Sequence, residues 1–489
     1  MSGRSAAKNP GATAPAAAAA GGLAPWGRHA DLPAPLPFTF GNALRTIGPG
    51  AILLSASIGG GEWLVGPAMA VKHGMGIFWI ATLAIILQAV INLEGIRYTL
   101  YTGEPIVTGF LRLRPSSSFW AAVYSMLTVA QLGMPALGAA CASVIFSSVA
   151  GRIPGAPDRE TLAWLTYAVM AVTAGILMIG GTIERVLERA SWMMITFIFV
   201  FLTIANILFV PLSHWLATAS GFVQFGYWPA DVDMVLLATL AATAGSGGVG
   251  NLVISNWMRD KGYGMGSTVG AIPSAFGGRV IQLSSVGNVF EISAENLRRW
   301  RDWSRYVLLD QAVLWAGGCF IGMFLNVNLA TYIIPPGENL ADVGAGAFQA
   351  KYMAEKLWPG FWFLALLNGF WILFSTHLGN TDTLVRLVTD TLWSAGLGKR
   401  AQLNIGRLYL TLLLIFTAWG VLTVRWGSAM TLFKALGVVA GPVLCLAAIQ
   451  ILLVNTTLLP PELRPSWWRR GGLVAAAVFY AALFVAVIR

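Results

Sequence analysis

Eleven apolar runs divide this chain, and their length constrains its fold more than any other feature. Each run is close to the ~20 residues that an α-helix needs to cross a bilayer. Only 11% of the residues are charged, whereas soluble domains carry about 25%. The sequence therefore predicts an all-α integral membrane protein. Its helices 1 to 11 are predicted over residues 47–71, 76–100, 119–149, 161–181, 190–212, 234–257, 304–330, 358–380, 405–424, 428–453 and 470–489.

The distribution of basic residues predicts the orientation of these helices. Of the 31 Lys and Arg residues, 23 fall in segments that are cytoplasmic if the N-terminus is inside, and seven fall on the other side. The positive-inside rule favours that orientation. We therefore expect a protein of the cell inner or plasma membrane, with a cytoplasmic N-terminus and a C-terminus outside. The net charge of +10 then reflects topology, and no nucleic-acid partner is expected.

Outside the apolar runs, two segments differ in character. Residues 1–40 are rich in Ala, Pro and Gly without helical periodicity, which predicts a disordered cytoplasmic tail before a transmembrane domain at 41–489. Residues 261–300 form a long Gly-rich stretch with a basic end, which predicts a cytoplasmic loop with short helical pieces. The three cysteines lie far apart in apolar runs, so we expect packing roles and no cofactor.

Two glycine clusters interrupt helices that should otherwise be continuous. Helix 1 carries Gly59, Gly60 and Gly61 followed by Glu62, and helix 6 carries the segment 245–250, GSGGVG. Each Gly costs a helix interior about 1 kcal/mol relative to Ala, and an ionisable group in hydrocarbon costs at least ~2.5 kcal/mol. Such costs indicate unwound, functional segments.

The two clusters stand five helices apart, and an odd repeat of five reverses orientation. We therefore predict two inverted repeats, about 47–212 and about 234–453, with helix 470–489 left over. Interrupted helices at corresponding positions of two such repeats indicate the substrate site of a transporter. The predicted substrate-binding residues are Gly59, Gly60, Gly61, Glu62, Gly245, Ser246, Gly247, Gly248, Asn251 and, on helix 3, Gln131.

Each of these predictions has a structural alternative. The glycines could serve close helix packing. Glu62 could cap a half-helix or pair with Lys434 instead of contacting a substrate. Asn251, Ser246 and Gln131 could form hydrogen bonds between helices.

Three segments together resemble the Nramp family of divalent-metal transporters over residues 41–455. They are the Gly48-Pro49 pair before helix 1, the TGEP turn at 102–105 and FSTHLGNTDTLVRLVTD at 374–390. The resemblance implies the five-plus-five inverted-repeat fold shared with sodium-coupled amino-acid transporters. It also implies alternating access around broken helices 1 and 6.

This chain departs from the family at the metal ligands. The family has Asp-Pro-Gly-Asn where helix 1 has residues 59–62, GGGE, and Met-Pro-His where helix 6 has residues 245–247, GSG. The family's acidic residues on helix 3 are also absent, and Gln131 is the strongly polar group there. Without the soft sulfur ligand, backbone carbonyls and the carboxylate of Glu62 suit a hard cation such as magnesium. Glu62 is thus the candidate metal ligand.

Helix 8 supplies a possible coupling-ion site. In the fold that the resemblance implies, paired hydroxyls such as those of Ser375 and Thr376 can complete a sodium site beside the break in helix 1. Alternatively, they bond to carbonyls of their own helix. His377 could bind an ion or a proton, or be a satisfied packing histidine. Further along, the acidic and basic residues of segment 382–390 share one helix face and indicate a salt-bridged gate or loop anchor.

These features lead to three hypotheses about function. The first is a secondary transporter of a divalent cation, with magnesium or manganese favoured. The second keeps the fold and transports a small organic solute by sodium or proton coupling. The third is a membrane receptor or scaffold that does not transport. An enzyme is not expected, because the chain contains no P-loop, no G-x-S-x-G motif and no H-E-x-x-H motif.

Overall fold

The structure is a computed structural model that describes residues 22–179, 183–273, 283–338, 340, 347–396 and 404–489. In this part of the chain, nine helices are long and apolar enough to cross a membrane. Of these, seven are single α-helices: helix 2 (Trp79–Thr102), helix 4 (Arg159–Met178), helix 5 (Ile183–Phe209), helix 8 (Phe361–Ser394), helix 9 (Ile405–Thr423), helix 10 (Ala429–Thr457) and helix 11 (Trp467–Ile488).

Helices 1 and 6 are interrupted, as the glycine clusters predict, and therefore do not count among the nine. Helix 1 consists of Pro49–Ser57 and Gly66–His73, joined by a π-helical turn at Gly60–Val65. Helix 6 consists of Met234–Thr243 and Gly250–Lys261. Between the halves of helix 6, Gly247 and Gly248 have φ angles of +63° and +68°, which favour glycine because it has no Cβ.

Helices 3 and 7 are composite. Helix 7 runs through Ala294–Leu308, a π-helical stretch Leu309–Ala316 and Gly317–Ile333. Helix 3 consists of Ser117–Leu132 and Ala136–Ala150, so the prediction of one continuous helix over 119–149 was incomplete. The cause is Pro135, which has no N–H to donate to the carbonyl of Gln131, while the N–H of Ala136 donates to the Met134 carbonyl at 2.9 Å.

Short helices cap or connect these spans. They are Phe40–Thr46, Met75–Phe78, Ile106–Leu111, Ala156–Asp158, Leu212–Gly221, Gly264–Thr268, Phe348–Lys356, Val424–Trp426 and Pro461–Leu463. The first half of helix 1 packs against helices 5, 7 and 8, and the first half of helix 6 packs against helices 10 and 11. The second half of helix 3 packs against helix 8, so the breaks of helices 1, 3 and 6 all lie inside the bundle.

The prediction of a disordered tail over residues 1–40 does not hold for its second half; residues 1–21 lie outside the described residues. Strand β1 (Gly27–His29) pairs in parallel with β2 (Asn288–Phe290) from the loop between helices 6 and 7. Farther along this N-terminal segment, the side chain of Tyr306 donates to the Leu36 carbonyl at 3.0 Å. These partners lie more than 250 residues away in sequence, so local composition could not reveal them.

The loop between helices 6 and 7 is only partly described. Residues 274–282 of the predicted cytoplasmic loop lie outside the described residues. The described part contains the short helix Gly264–Thr268 and strand β2, and it ends in the amphipathic beginning of helix 7.

Candidate functional site

The breaks of helices 1 and 6 face each other across a buried cavity of about 20 Å³, which we call the central cavity. A water molecule needs about 10–15 Å³ of such space, so the cavity has room for one water or one small ion. Five helices line it. The lining residues are Ala56, Ser57, Gly60 and Gly61 of helix 1, Gln131 and Leu132 of helix 3, Thr243, Gly245, Ser246 and Gly247 of helix 6, Thr376 and Asn380 of helix 8, and Phe433 and Leu436 of helix 10.

The glycines of helix 1 are required by close approaches from three other helices. A Cβ atom on Gly59 would overlap the side chain of Thr376, and one on Gly60 would overlap the ring of Phe433. A Cβ on Gly61 would overlap the backbone of Thr243 in helix 6. The glycine run therefore brings helices 6, 8 and 10 against the unwound backbone, which is more than ordinary packing of two helices requires.

Glu62 caps the π-helical turn that leads into the second half of helix 1. Its Oε2 atom accepts a hydrogen bond from the Gly59 N–H at 2.9 Å, and the side chain is fully buried. Its Oε1 atom has no hydrogen-bond partner among the described residues. Glu62 does not line the central cavity, whereas the preceding residues Gly60 and Gly61 do. Its side chain therefore lies outside the cavity lining. The suggested pairing with Lys434 was wrong, because Lys434 pairs with Asp233 at 3.5 Å.

Two glutamines hold the break of helix 6 open. Gln88, in helix 2, accepts from the N–H groups of Ser246 at 2.9 Å and Gly247 at 3.3 Å. Its amide donates to the Ala242 carbonyl at 3.0 Å. Gln131 accepts from the Val249 N–H at 3.1 Å and donates to the Gly247 carbonyl. Gln131 thus lines the central cavity, and two of its side-chain hydrogen bonds go to helix 6, as in the interhelical alternative. Its contact with a substrate stays a prediction.

Gln88 was missed in the sequence analysis. The available signal was a strongly polar amide in the middle of an otherwise apolar membrane helix, where polar groups mark functional or buried positions.

A chain of side chains orients the hydroxyl groups at the cavity. The indole N–H of Trp315 donates to Ser57 Oγ at 3.1 Å, and that hydroxyl lies 2.6 Å from the Leu53 carbonyl. Ser57 Oγ is also 2.9 Å from Ser246 Oγ. Because Ser57 has one proton, and donates it to Leu53, the Ser246 hydroxyl must donate to Ser57. The lone pairs of Ser246 are then available to the cavity, which favours a cation or a hydrogen-bond donor.

Ser375 and Thr376 do face the break of helix 1. Ser375 Oγ lies 2.9 Å from the Ser55 carbonyl and 3.0 Å from the Ile372 carbonyl. Thr376 Oγ1 lies 3.2 Å from the carbonyl oxygens of Ser55 and Ile372, and 3.0 Å from the carbonyl oxygen of Ile58. We call these five oxygens the helix 8 oxygen cluster. Two hydroxyl protons cannot satisfy every one of these approaches, so the cluster has more acceptors than donors.

The remaining predicted residues lie elsewhere. Asn251 is outside the cavity lining and donates to Asn92 at 2.9 Å, which matches the interhelical alternative. Gly248 packs against Gln131. His377 does not join Ser375 and Thr376, because it lines a neighbouring cavity. Among the described residues, no group of three or more His, Cys, Asp or Glu could hold a metal ion.

The polar end of helix 8 forms a buried charge network with the end of helix 6. Arg386 pairs with Asp382 at 2.8 Å and with Asp260. Arg259 pairs with Asp260 at 2.6 Å and with Asp390 at 2.9 Å. The network joins two helices that line the central cavity and contains no cavity-lining residue, as expected for a gate or anchor.

Comparison with known proteins establishes the fold. Three structures of the manganese transporter of Eremococcus coleocola, two of variants and one with an aromatic bis-isothiourea compound, match with TM-scores of 0.65, 0.64 and 0.61. Each match covers 94% of this chain and 89% of the other, at 11–14% sequence identity. The predicted fold class, with broken helices 1 and 6, is thereby confirmed.

Sequence comparison adds little. No protein-family profile matches the chain. An uncharacterized protein of Pasteurella multocida is 22% identical over 214 residues, which is 40% of this chain. The matched region spans 47% of that relative, so less than half of its length is represented.

Proposed function

We propose that the protein is a secondary-active transporter whose substrate occupies the central cavity. The observation that carries this proposal is the cavity itself, which joins the breaks of helices 1 and 6 and is also lined by helices 3, 8 and 10. Rocking of the predicted repeats, about 47–212 and about 234–453, would expose the cavity to each side of the membrane in turn. A transporter also fits the manganese transporters that share the fold, and no enzymatic role is proposed.

The favoured substrate is a hard divalent cation such as magnesium or manganese. The cavity has the size of a small ion, and Ser246 directs oxygen lone pairs toward it. Among its described lining residues there is no sulfur and no imidazole, and oxygen ligands suit hard cations. The buried carboxylate of Glu62 lies directly after the glycines that line the cavity. It would balance part of the positive charge from behind them, with waters completing the coordination.

A second candidate is a sodium- or proton-coupled symporter of a small organic solute. The helix 8 oxygen cluster favours it, because two neighbouring hydroxyls of helix 8 approach two carbonyls of helix 1 and one of their own helix. Sodium would satisfy the surplus acceptors. Bound sodium would then link helix 8 to helix 1. Coupled transport requires such a link between binding of the ion and movement of the helices.

Uptake into proteoliposomes tests the leading proposal. We expect flux of Mg²⁺ or Mn²⁺ in wild type, a loss of at least tenfold in Glu62→Gln, and a raised KM in Ser246→Ala. Ser148→Ala is a matched control, because its hydroxyl donates to the Val144 carbonyl of its own helix at 3.0 Å. Flux that is equal in Glu62→Gln and wild type would contradict the role of Glu62.

A sodium gradient separates the two candidates. Solute uptake that requires sodium and fails in Thr376→Val, without any divalent-metal flux, would replace the leading proposal with the second. Thr173→Val is the control, since that buried hydroxyl donates to the carbonyl of Val169 in its own helix at 2.9 Å. If purified protein binds neither metal nor solute, the receptor or scaffold hypothesis takes their place.

A further inference from the structure

The break of helix 3 borders a second buried cavity, of about 40 Å³, which we call the helix 3 cavity. It adjoins the central cavity, and Leu132, Asn380 and Leu436 line both. The residues that line it include His377, which carries an imidazole, and Met134 and Met170, which carry thioethers. These are chemical groups that the central cavity does not offer among its described lining residues.

His377 is the first reason to regard this cavity as a binding site. Its side chain is 7% exposed, and its Nε2 atom is buried without a hydrogen-bond partner among the described residues. A Cβ atom on Gly138 would lie 3.1 Å from the ring, so a close approach of helices 3 and 8 fixes the imidazole in place. A packing histidine normally has its ring nitrogens satisfied, and this one has a nitrogen left for a ligand.

The two methionines are the second reason. Met134 lies in the interruption of helix 3, between Leu132 and Ala136, and Met170 reaches the cavity from helix 4. Pro135 leaves the Gln131 carbonyl without its usual helical donor. Thioether sulfur selects soft metal ions such as Cu(I), and imidazole binds copper and zinc.

Charge decides between those metals. No Asp, Glu, Lys or Arg is among the described residues that line the helix 3 cavity. Burying an ion without a counter-charge is expensive, and the cost rises steeply with the ion's charge. Neutral sulfur and nitrogen ligands, with no counter-charge among the described lining residues, therefore favour a monovalent ion over a divalent one.

We propose that the helix 3 cavity is a second cation site, which binds a soft monovalent cation of the Cu(I) class through His377, Met134 and Met170. The site differs from the central cavity in its sulfur and imidazole ligands. It does not depend on the proposed transport activity, because binding alone defines it.

Silver ion, a redox-stable stand-in for Cu(I), is the probe. Thiols also bind silver, so the background is full-length protein with Cys141, Cys319 and Cys445 replaced by Ala. We expect this purified background protein to bind Ag⁺ at one tight site. His377→Gln and Met134→Leu should each weaken that site at least tenfold. Met126→Leu should not, since Met126 lies on the same helix and is 71% exposed.

X-ray absorption and one further variant also test the proposal. X-ray absorption of the Cu(I)-loaded background protein should show both sulfur and nitrogen in the first shell, and a shell without nitrogen would overturn the site. Ser246→Ala should leave Ag⁺ binding unchanged, which separates this site from the central cavity. Equal Ag⁺ affinity in His377→Gln and the background, or no Ag⁺ site in the background, would also overturn the proposal.

Discussion

Gln88 is fully buried in helix 2, and its side chain joins the end of the first half of helix 6 to the interruption that follows it. Unwinding a membrane helix exposes N–H and carbonyl groups that lipid cannot satisfy. Gln88 satisfies two of the N–H groups and donates to carbonyls at the end of the first half. Its amide also donates to the Tyr480 hydroxyl of helix 11 at 3.0 Å. One residue thus stabilises the break and positions Ser246 at the central cavity.

Replacing Gln88 by Leu should therefore lower stability substantially. Each buried polar group left unsatisfied costs about 1–3 kcal/mol, and at least two backbone N–H groups lose their acceptor. We expect a lower midpoint of thermal unfolding, measured in detergent by size-exclusion chromatography after heating. Gln224→Leu, at an exposed position, is the control and should leave the midpoint unchanged. An unchanged midpoint in Gln88→Leu would show that the break does not need this amide.

At the scale of elements, helix 8 makes three different sets of contacts along its length. Ser375 and Thr376 meet the break of helix 1, His377 and Asn380 face the helix 3 cavity, and segment 382–390 pairs with the end of helix 6. The predicted helix ended at residue 380, where charged residues begin, but the observed helix continues to Ser394. It continues because those charges are paired inside the protein.

Removing one charge of this network should be costly. Arg386→Ala would leave Asp382 buried without its cation, and breaking a buried pair typically costs 3–5 kcal/mol. We expect a marked loss of folded protein on heating. Arg425→Ala removes an exposed arginine that pairs with Glu160 and should cost less than about 1 kcal/mol. Similar losses in the two variants would contradict this reading of the network.

The break of helix 1 permits a test by compensation. Gly60→Ala should reduce uptake sharply, because the added methyl group overlaps the ring of Phe433 in helix 10. Phe433→Ala should restore part of the uptake of Gly60→Ala by removing that ring. The comparison is the uptake rate of the double variant against each single variant. A double variant no better than Gly60→Ala would mean that contact with Phe433 is not the reason for glycine.

At the scale of the whole molecule, Glu104 of the TGEP turn connects distant parts of the chain. Its carboxylate accepts from Arg112 Nε at 2.9 Å, from the Tyr98 hydroxyl, and from the N–H of Gly287 at 2.9 Å. Arg112 in turn donates to the carbonyl of Ala24 at 3.0 Å. The turn therefore secures both the N-terminal segment and the loop between helices 6 and 7.

The electrostatics of Glu104 predict a pH dependence of stability. Burial alone would raise the pKa of Glu104, but the Arg112 guanidinium and the hydrogen bonds more than offset it and hold the pKa below its usual value. A lowered pKa in the folded state stabilises the protein above the unfolded pKa of about 4.3. That stabilisation is lost as the pH falls through the folded pKa.

Glu104→Gln should thus unfold at a markedly lower temperature than wild type at pH 7, since Arg112 loses its charge partner. The difference should shrink as the pH falls toward 4 and below. Glu160→Gln, which removes an exposed partner of Arg425, is the control and should show little difference at pH 7. A difference between Glu104→Gln and wild type that grows on acidification would refute the argument.

The sequence by itself determined the membrane class, the number of spans and the positions of the two glycine breaks. These features depend on local properties, namely the length of apolar runs and the intolerance of helices for glycine, so they can be read without knowing any neighbour. The face shared by Asp382, Arg386 and Asp390 was predictable for the same reason.

Only the tertiary structure decided which polar atoms meet. Glu62 caps the π-helical turn of helix 1, Gln88 supports the break of helix 6, and His377 faces the helix 3 cavity instead of the oxygen cluster beside it. The ordered N-terminal segment also depends on a strand partner more than 250 residues away. Such contacts arise from the packing of elements distant in sequence. The local pattern of residues therefore does not show which hydrogen-bond partner a polar side chain will have.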